Sequence, residues 1–284
     1  MSDRQDAPVT DAMPDETRLH RRTTFDDDAE RYDRTRPGYP AALFDALAEA
    51  AGLRAGSRVL EVAPGTGQAT TTLAERGWRV TAVELGAQMA ALTRRSAARV
   101  PGAEVDVVVA PFEDWPLPGE PFDAVLCATA WHWLDPAVRA RKAAEALRPG
   151  GVLGVVRSHH VAGGTSAFYE AADGCWRRFG QRASGGGTRF RLQPEAEVGP
   201  ATAELEHSGL FTEVTAHGFP LEVAYTTAQY LDLLATYSQV AVLDPAARAG
   251  LLSCVGAVAD ERFGGRIVHR YLFELVLART PSGP

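Results

Sequence analysis

Glu61, Gly65, Gly67 and Glu84 are the residues whose types and spacing suit the holding of a small ligand. The two glycines lie in the stretch VLEVAPGTGQAT, Val59 to Thr70, which reads as a strand, a glycine turn and the start of a helix. Glycines there let the backbone close on a ligand, and the helix N-terminus offers free N–H groups. A dinucleotide turn takes GxGxxG or GxGxxA, and here Thr70 stands in the third place; a phosphate loop ends in GK[ST], and no such run occurs. Glu61 ends the strand four residues before Gly65, where an ionised carboxylate repels a pyrophosphate and attracts an ammonium or sulfonium. Glu84 ends the next strand 19 residues beyond Gly65, the spacing at which an acid accepts hydrogen bonds from both ribose hydroxyls. The pair points to a nucleoside that carries positive charge and no phosphate.

The elements that must position these residues alternate. SRVLEVA, WRVTAVEL, EVDVVVA, FDAVLCATA and VLGVVRS read as strands, while TGQATTTLAERG, AQMAALTRRSAARV and PAVRARKAAEALRPGG read as helices. Strands alternating with helices of this length predict a parallel sheet with right-handed connections, a doubly wound α/β fold. Upstream, Phe25 to Leu53 predicts a short helix, a turn at Pro37 and Gly38, and an amphipathic helix from Pro40 to Gly52. After Ser158 a helix mixed with glycine-rich loop replaces the repeating unit. GLFTEVTAHGFPLEVAYT then alternates as an antiparallel strand, with a break expected near Gly218 and Pro220. TAQYLDLLATYSQVAVL and DPAARAGLLSCVGAVADERFGG each predict one helix, the second capped by Asp244 with Pro245 at its first position, and RYLFELVLA closes the chain as a strand. The expected organisation is a disordered tail over 1–22, a cofactor-binding core over 23–158, and over 159–284 cap helices and completing strands of the same domain.

A chain of 284 residues, 45% hydrophobic, can bury an ample core. Its net charge of -7 argues against a nucleic-acid partner held by phosphate contacts and favours a small molecule. Apolar runs such as Tyr271 to Ala278 are far short of a membrane span, and the N-terminus is charged where a signal peptide is apolar, so a cytoplasmic protein is expected. Cys127, Cys175 and Cys254 stand singly without CxxC spacing. Reduced, buried thiols are expected, with no disulfide and no metal site.

At these residues the chain resembles the class I S-adenosylmethionine-dependent methyltransferases, over nearly all of Phe25 to Ala278. LEVAPGTG is similar to the family's acid-x-Gly-x-Gly-x-Gly motif, with Ala63 in place of the first glycine. The resemblance implies a Rossmann-like, seven-stranded, mostly parallel sheet with its last strand antiparallel and helical cap insertions, and S-adenosyl-L-methionine as cofactor. It places Glu61 near the cofactor's amino group, Ala63, Gly65 and Gly67 against its methionine part, and Glu84 on its ribose, with Leu85 and Ala128 beside them. VVVAPFEDWPLP resembles the segment around the adenine, which puts Phe112 and Glu113 near the base; Pro111 stands where the family has aspartate, so that contact passes to Glu113. RYDRTRPGYP and AWHWLDP are similar to a bacterial subgroup that includes trans-aconitate methyltransferase-like enzymes of small molecules. There Tyr32 and Arg36 meet the methionine end, which suits cation–π attraction and carboxylate pairing, or else the helix simply packs Tyr32 and Tyr39 into the core.

On the acceptor side, His132 is the candidate base for a hydroxyl acceptor; for an ionised carboxylate or neutral amine it only orients the substrate. Trp131, Trp133 and Tyr237, with His159 and His160 at the cleft edge, are the candidate substrate contacts, each with ordinary packing or solvation as its plainer reading. Methyl transfer needs no metal and no covalent intermediate, only alignment and exclusion of water. Three other readings compete. One is an enzyme of the same fold that uses the cofactor for cyclisation or lyase chemistry. Another is an NAD(P)-dependent oxidoreductase, against which Glu61 and the missing third glycine stand. The last is a non-catalytic binding module.

Overall fold

The computed structural model describes residues 26–180 and 192–283. The tail expected over 1–22 and most of the glycine-rich loop lie outside the described residues. β1 (Arg58–Val62), β2 (Arg79–Glu84), β3 (Glu104–Val109), β4 (Phe122–Ala128), β5 (Leu147–His160), β6 (Glu213–Thr226) and β7 (Arg266–Arg279) form one sheet in the order β3-β2-β1-β4-β5-β7-β6. β1 to β5 run parallel, and β7 lies antiparallel between β5 and β6. Helices cover both faces, so the central strands are nearly continuous apolar runs. In β1 the one acidic side chain, Glu61, is as deeply buried as its neighbours, and a burial that costly asks for a reason.

On one face, α1 (Ala29–Thr35), α2 (Ala41–Ala51), α3 (Gln68–Glu75) and α4 (Ala87–Ala97) meet the cap helices α6 (Ser166–Phe179), α8 (Thr227–Ala235), α9 (Ser238–Ala241) and α10 (Pro245–Phe263). Leu43, Phe44, Leu47, Leu73, Phe168, Leu233, Leu251 and Val255 join in that core. On the other face, α5 (Arg139–Ala146) and α7 (Ala203–His207) cover a second core around Leu60, Phe122, Trp131, Leu134, Ala143 and Leu205. No helix joins β3 to β4; Phe112, Trp115 and Leu117 of that connection pack on the second core instead.

Local chemistry explains several boundaries. Gly52 ends α2 in the left-handed conformation, at φ 64°, a shape glycine takes without Cβ strain. Asp244 caps α10 by accepting from the N–H groups of Ala246 and Ala247, with Pro245 where no N–H is needed.

Three expectations are corrected. β6 is unbroken through Gly218 and Pro220, pairing with β7 from Glu213 to Thr226. It is an edge strand, where a proline without an N–H costs no ladder bond on its open side. The single helix expected over Thr227 to Leu243 is two, because Arg36 donates from Nη2 to the carbonyl of Thr236 (3.0 Å) and from Nε to its hydroxyl (3.1 Å), and Tyr237 turns extended. Cys175 and Cys254 form a disulfide between α6 and α10, while Cys127 stays a buried thiol. Their separation of 79 residues carries no pairing signal; the packing of the two helices brings the Cα atoms within 5.7 Å.

Candidate active site

A cleft opens at the C-terminal ends of β1, β2 and β4. Such an edge is where ligands bind in doubly wound sheets, because each strand ends there in a loop. Tyr32, Tyr39, Ala63, Gly65, Glu84 and Phe112 are among its lining residues.

The glycine turn is braced from below. Glu84, 7% exposed, accepts from the N–H of Gly65 through Oε2 and from that of Gly86 through Oε1, both at 2.9 Å, so one carboxylate ties together the turns after β1 and β2. Burial pushes its pKa up, and those backbone donors pull against it. Thr93 of α4 donates its hydroxyl to the carbonyl of Gly65 at 2.7 Å. Gly67, at φ 94°, caps α3; a Cβ there would lie 3.2 Å from the Cα of Thr93. Ala63 also adopts a left-handed conformation, at φ 54°. The chain therefore bends here as the glycine of the resembled motif would bend it, and alanine carries the strain. Thr129, after β4, is the second such residue at φ 57°, a costly conformation for a β-branched side chain. Both line the cleft, where backbone strain marks function.

Glu61 lies beneath the turn, 1% exposed, with Oε2 accepting the hydroxyl of Thr70 at 2.6 Å and Oε1 buried without a partner. Burial raises its pKa to about 7, the Thr70 hydrogen bond opposes this, and the charge of Glu84 adds to it. A buried acceptor left open beside a cleft asks for a donor from the ligand. The lining fits a cationic nucleoside: one buried acid, Glu84, an aromatic wall from Tyr32 and Tyr39, and an apolar end at Leu85, Met89, Ala110, Phe112 and Leu134, with Glu61 buried behind it.

Of the residues singled out in the sequence, Tyr32, Ala63, Gly65, Glu84, Leu85, Phe112, Ala128 and Trp133 line the cleft. Arg36 lies behind Tyr32, its guanidinium 4.8 Å from the ring centroids of both Tyr32 and Tyr237. Glu113 accepts the N–H of Asp135 at 3.0 Å and so ties down the loop after β4 rather than lining the cleft. Trp131 is buried in the second core, its Nε1 donating to Glu204, which also receives two bonds from Arg139. His132 is exposed, packed against the Trp133 ring at 4.6 Å and outside the lining. His159 and His160, expected in a loop, end β5, and neighbours on a strand face opposite ways. His159 meets Glu274 at 3.3 Å, whereas His160 joins Tyr237, His269 and Tyr271 on the cap side. Sequence reasoning missed Tyr39, whose hydroxyl meets that of Thr129 at 3.1 Å, and Thr129 itself. Tyr39 stands in the quoted run RPGYP, which was a usable signal; the φ of Thr129 had none.

The fold and this cleft define a doubly wound α/β protein with a buried acid under its glycine turn. Residues 60–155 match the methyltransferase domain family. An uncharacterised methyltransferase of Mycobacterium tuberculosis is 42% identical over 125 residues, 44% of this chain and 48% of that protein. The chain thus spans about half the length of curated relatives such as this one. A structure from Anaeromyxobacter dehalogenans, provisionally described as a type II methyltransferase, superposes with a TM-score of 0.62 at 26% identity, over 87% of this chain and 99% of the other. Phosphoethanolamine N-methyltransferase 2 of Haemonchus contortus, in complex with S-adenosyl-L-methionine, shares the fold, with a TM-score of 0.50 at 18% identity over 90% of this chain and 57% of the other. Residues 60–155 thus match a methyltransferase domain on a fold shared with solved methyltransferase structures, and the cleft residues fit S-adenosyl-L-methionine, the cofactor of the class the sequence resembles.

Proposed function

We propose that this chain methylates a small-molecule acceptor with S-adenosyl-L-methionine as donor. The observation that carries the reading is the pair of buried carboxylates under the cleft, Glu84 bracing the turn and Glu61 with one oxygen unpaired. When bound, S-adenosyl-L-methionine supplies an electrophilic methyl group for one in-line displacement, with the carbon–sulfur electron pair left on sulfur. Glu61 offers its open Oε1 to an ammonium, and Glu84 offers its outer lone pairs to ribose hydroxyls. Tyr32 and Tyr39 present ring faces that stabilise nearby positive charge and exclude water. The net charge of -7 favours a small acceptor over nucleic acid, and no described helix is long and apolar enough to cross a membrane.

Calorimetric titration with S-adenosyl-L-methionine and with S-adenosylhomocysteine tests the first half; mass spectrometry of the products tests the second. Binding of both, with S-adenosylhomocysteine accumulating as an acceptor gains a methyl group, is expected. Accumulation of methylthioadenosine, or binding of NADH in place of S-adenosyl-L-methionine, overturns the reading.

A further inference from the structure

Beyond the cleft, on the cap-facing side of the sheet, lies a nest of rings assembled from distant segments. His160 of β5, Tyr225 of β6 and His269, Tyr271 and Phe273 of β7 share that face through the strand register, and Tyr169 of α6, Tyr230 of α8 and Tyr237 before α9 close over it. His269 stacks on Tyr271 at 4.2 Å between centroids and meets His160 edge-on at 4.3 Å; His160 also meets Tyr237 at 5.8 Å. Two contacts join the nest to the cleft. Tyr39 meets Phe273 at 5.1 Å, and Arg36 lies between Tyr32 and Tyr237.

The polar atoms of the nest are incompletely paired. The hydroxyls of Tyr225 and Tyr271 are 3.1 Å apart, but His269 is fully buried with neither ring nitrogen partnered, and the hydroxyl of Tyr237 is buried and unpartnered too. A neutral imidazole holds one donor and one acceptor, and each left unmet in the interior costs about 1–3 kcal/mol. Three such atoms in one nest call for a ligand that brings both a donor and an acceptor. Burial lowers the pKa of His160 to about 4 and that of His269 to about 2, so both stay uncharged near neutrality. Arg36, the cation in contact with the nest, already gives Nε and Nη2 to Thr236. This lining offers a carboxylate no free charged partner, and the Arg36 guanidinium against Tyr237 repels an ammonium.

We propose that the ring nest of His160, Tyr237, His269 and Tyr271 is the acceptor subsite, and that its occupant is a flat, uncharged molecule bearing a hydroxyl on an aromatic ring. This inference rests on the methyl-transfer reading and adds to it the class of acceptor. Ring faces match stacking, and the unpartnered nitrogens and hydroxyl match an O–H group that both donates and accepts; on transfer the oxygen–methyl bond forms as the carbon–sulfur bond breaks with its pair left on sulfur, and the hydroxyl proton leaves to solvent.

Three probes that share a benzene ring test it: catechol, benzoate and benzylamine, each titrated into the protein saturated with S-adenosylhomocysteine and each assayed for methylation with S-adenosyl-L-methionine. Catechol is expected to bind and react at least about tenfold better than the other two, and Tyr237→Phe and His269→Phe to weaken its binding about tenfold each. Both variants are expected to keep the affinity for S-adenosyl-L-methionine; Tyr237→Phe removes only one unpaired hydroxyl and keeps the ring, so it reports even if His269→Phe fails to fold. Preference for benzoate or benzylamine, binding of none of the three, or catechol affinity unchanged in Tyr237→Phe overturns the acceptor class. Methyl transfer stands in those cases as long as S-adenosyl-L-methionine binds; absence of that binding overturns both.

Discussion

The parallel and antiparallel halves of the sheet build their sites in different ways. In the parallel half, the groups that matter follow strand ends and lie close in sequence: Glu61, the turn at Gly65 and Gly67, and Glu84 fall within 24 residues. In the antiparallel half, His160 faces residues that follow it by more than a hundred positions, namely His269 and Tyr271. Parallel strands deliver every loop to one edge, so a ligand there is met by short motifs. Antiparallel strands under a helical cap meet through register and packing, so a ligand there is met by residues with no motif in common. The first arrangement suits a cofactor held by backbone and acids; the second suits an acceptor recognised by shape and hydrogen bonding.

The contrast can be broken at its strongest point. Glu84→Ala removes the acceptor of the Gly65 and Gly86 N–H groups and, with it, the carboxylate proposed to meet the ribose. It is expected to cost about 2–5 kcal/mol of stability and to weaken S-adenosyl-L-methionine binding by about tenfold to a hundredfold, read by thermal melts and calorimetry. Unaltered affinity would remove Glu84 from the cofactor site. The antiparallel half is probed next, through its disulfide. Cys175→Ser, or reduction of the wild type, should lower stability by about 2–4 kcal/mol by freeing α6 from α10, while cofactor affinity stays within about twofold. A large loss of cofactor affinity would show that the two halves are coupled.

Glu61 sharpens the comparison through pH. Its folded pKa, about 7, lies above the ordinary 4.5, so between those values the folded state holds a proton that the unfolded state has lost. Stability contributed by that proton is present at low pH and falls as pH rises through 7. Glu61→Gln should therefore stabilise the ligand-free protein at pH 8 by about 1–3 kcal/mol while weakening S-adenosyl-L-methionine. An ammonium beside Glu61 favours the ionised form, so wild-type affinity should rise with pH up to about 7, with proton release below it in buffers of different ionisation enthalpy. A melting profile for Glu61→Gln parallel to wild type across pH 5–8 would contradict the burial of its charge. The smallest effect is expected at His132, exposed and outside the cleft lining: His132→Ala should leave turnover within about twofold at every pH. A larger loss would mean that the loop after β4 carries it inward.

Most of the parallel half was legible in the sequence, because buried strands, glycine turns and strand-end acids are local patterns. Eight of the proposed site residues line the cleft. Trp131, His159 and His160 lie outside that lining because local geometry sends neighbours in different directions. Trp131 and Trp133 are two residues apart, yet the short helical turn over Trp131–Trp133 sends one into the second core and one into the cleft. His159 and His160 were read as a pair, but one residue of pleat puts them on opposite faces of β5. Cys175 and Cys254 lacked any spacing signal because a disulfide answers to Cα distance.

Local sequence was enough for the alternating elements, the turn at Gly65 and Gly67 and the acids that end β1 and β2, since each depends on residues within one turn or one strand. The tertiary structure alone decided that Ala63 and Thr129 take left-handed backbone, that Arg36 breaks the cap helix at Thr236, and that His160, Tyr237, His269 and Tyr271 meet. Those outcomes depend on which distant surfaces pack together, and chain order does not record that.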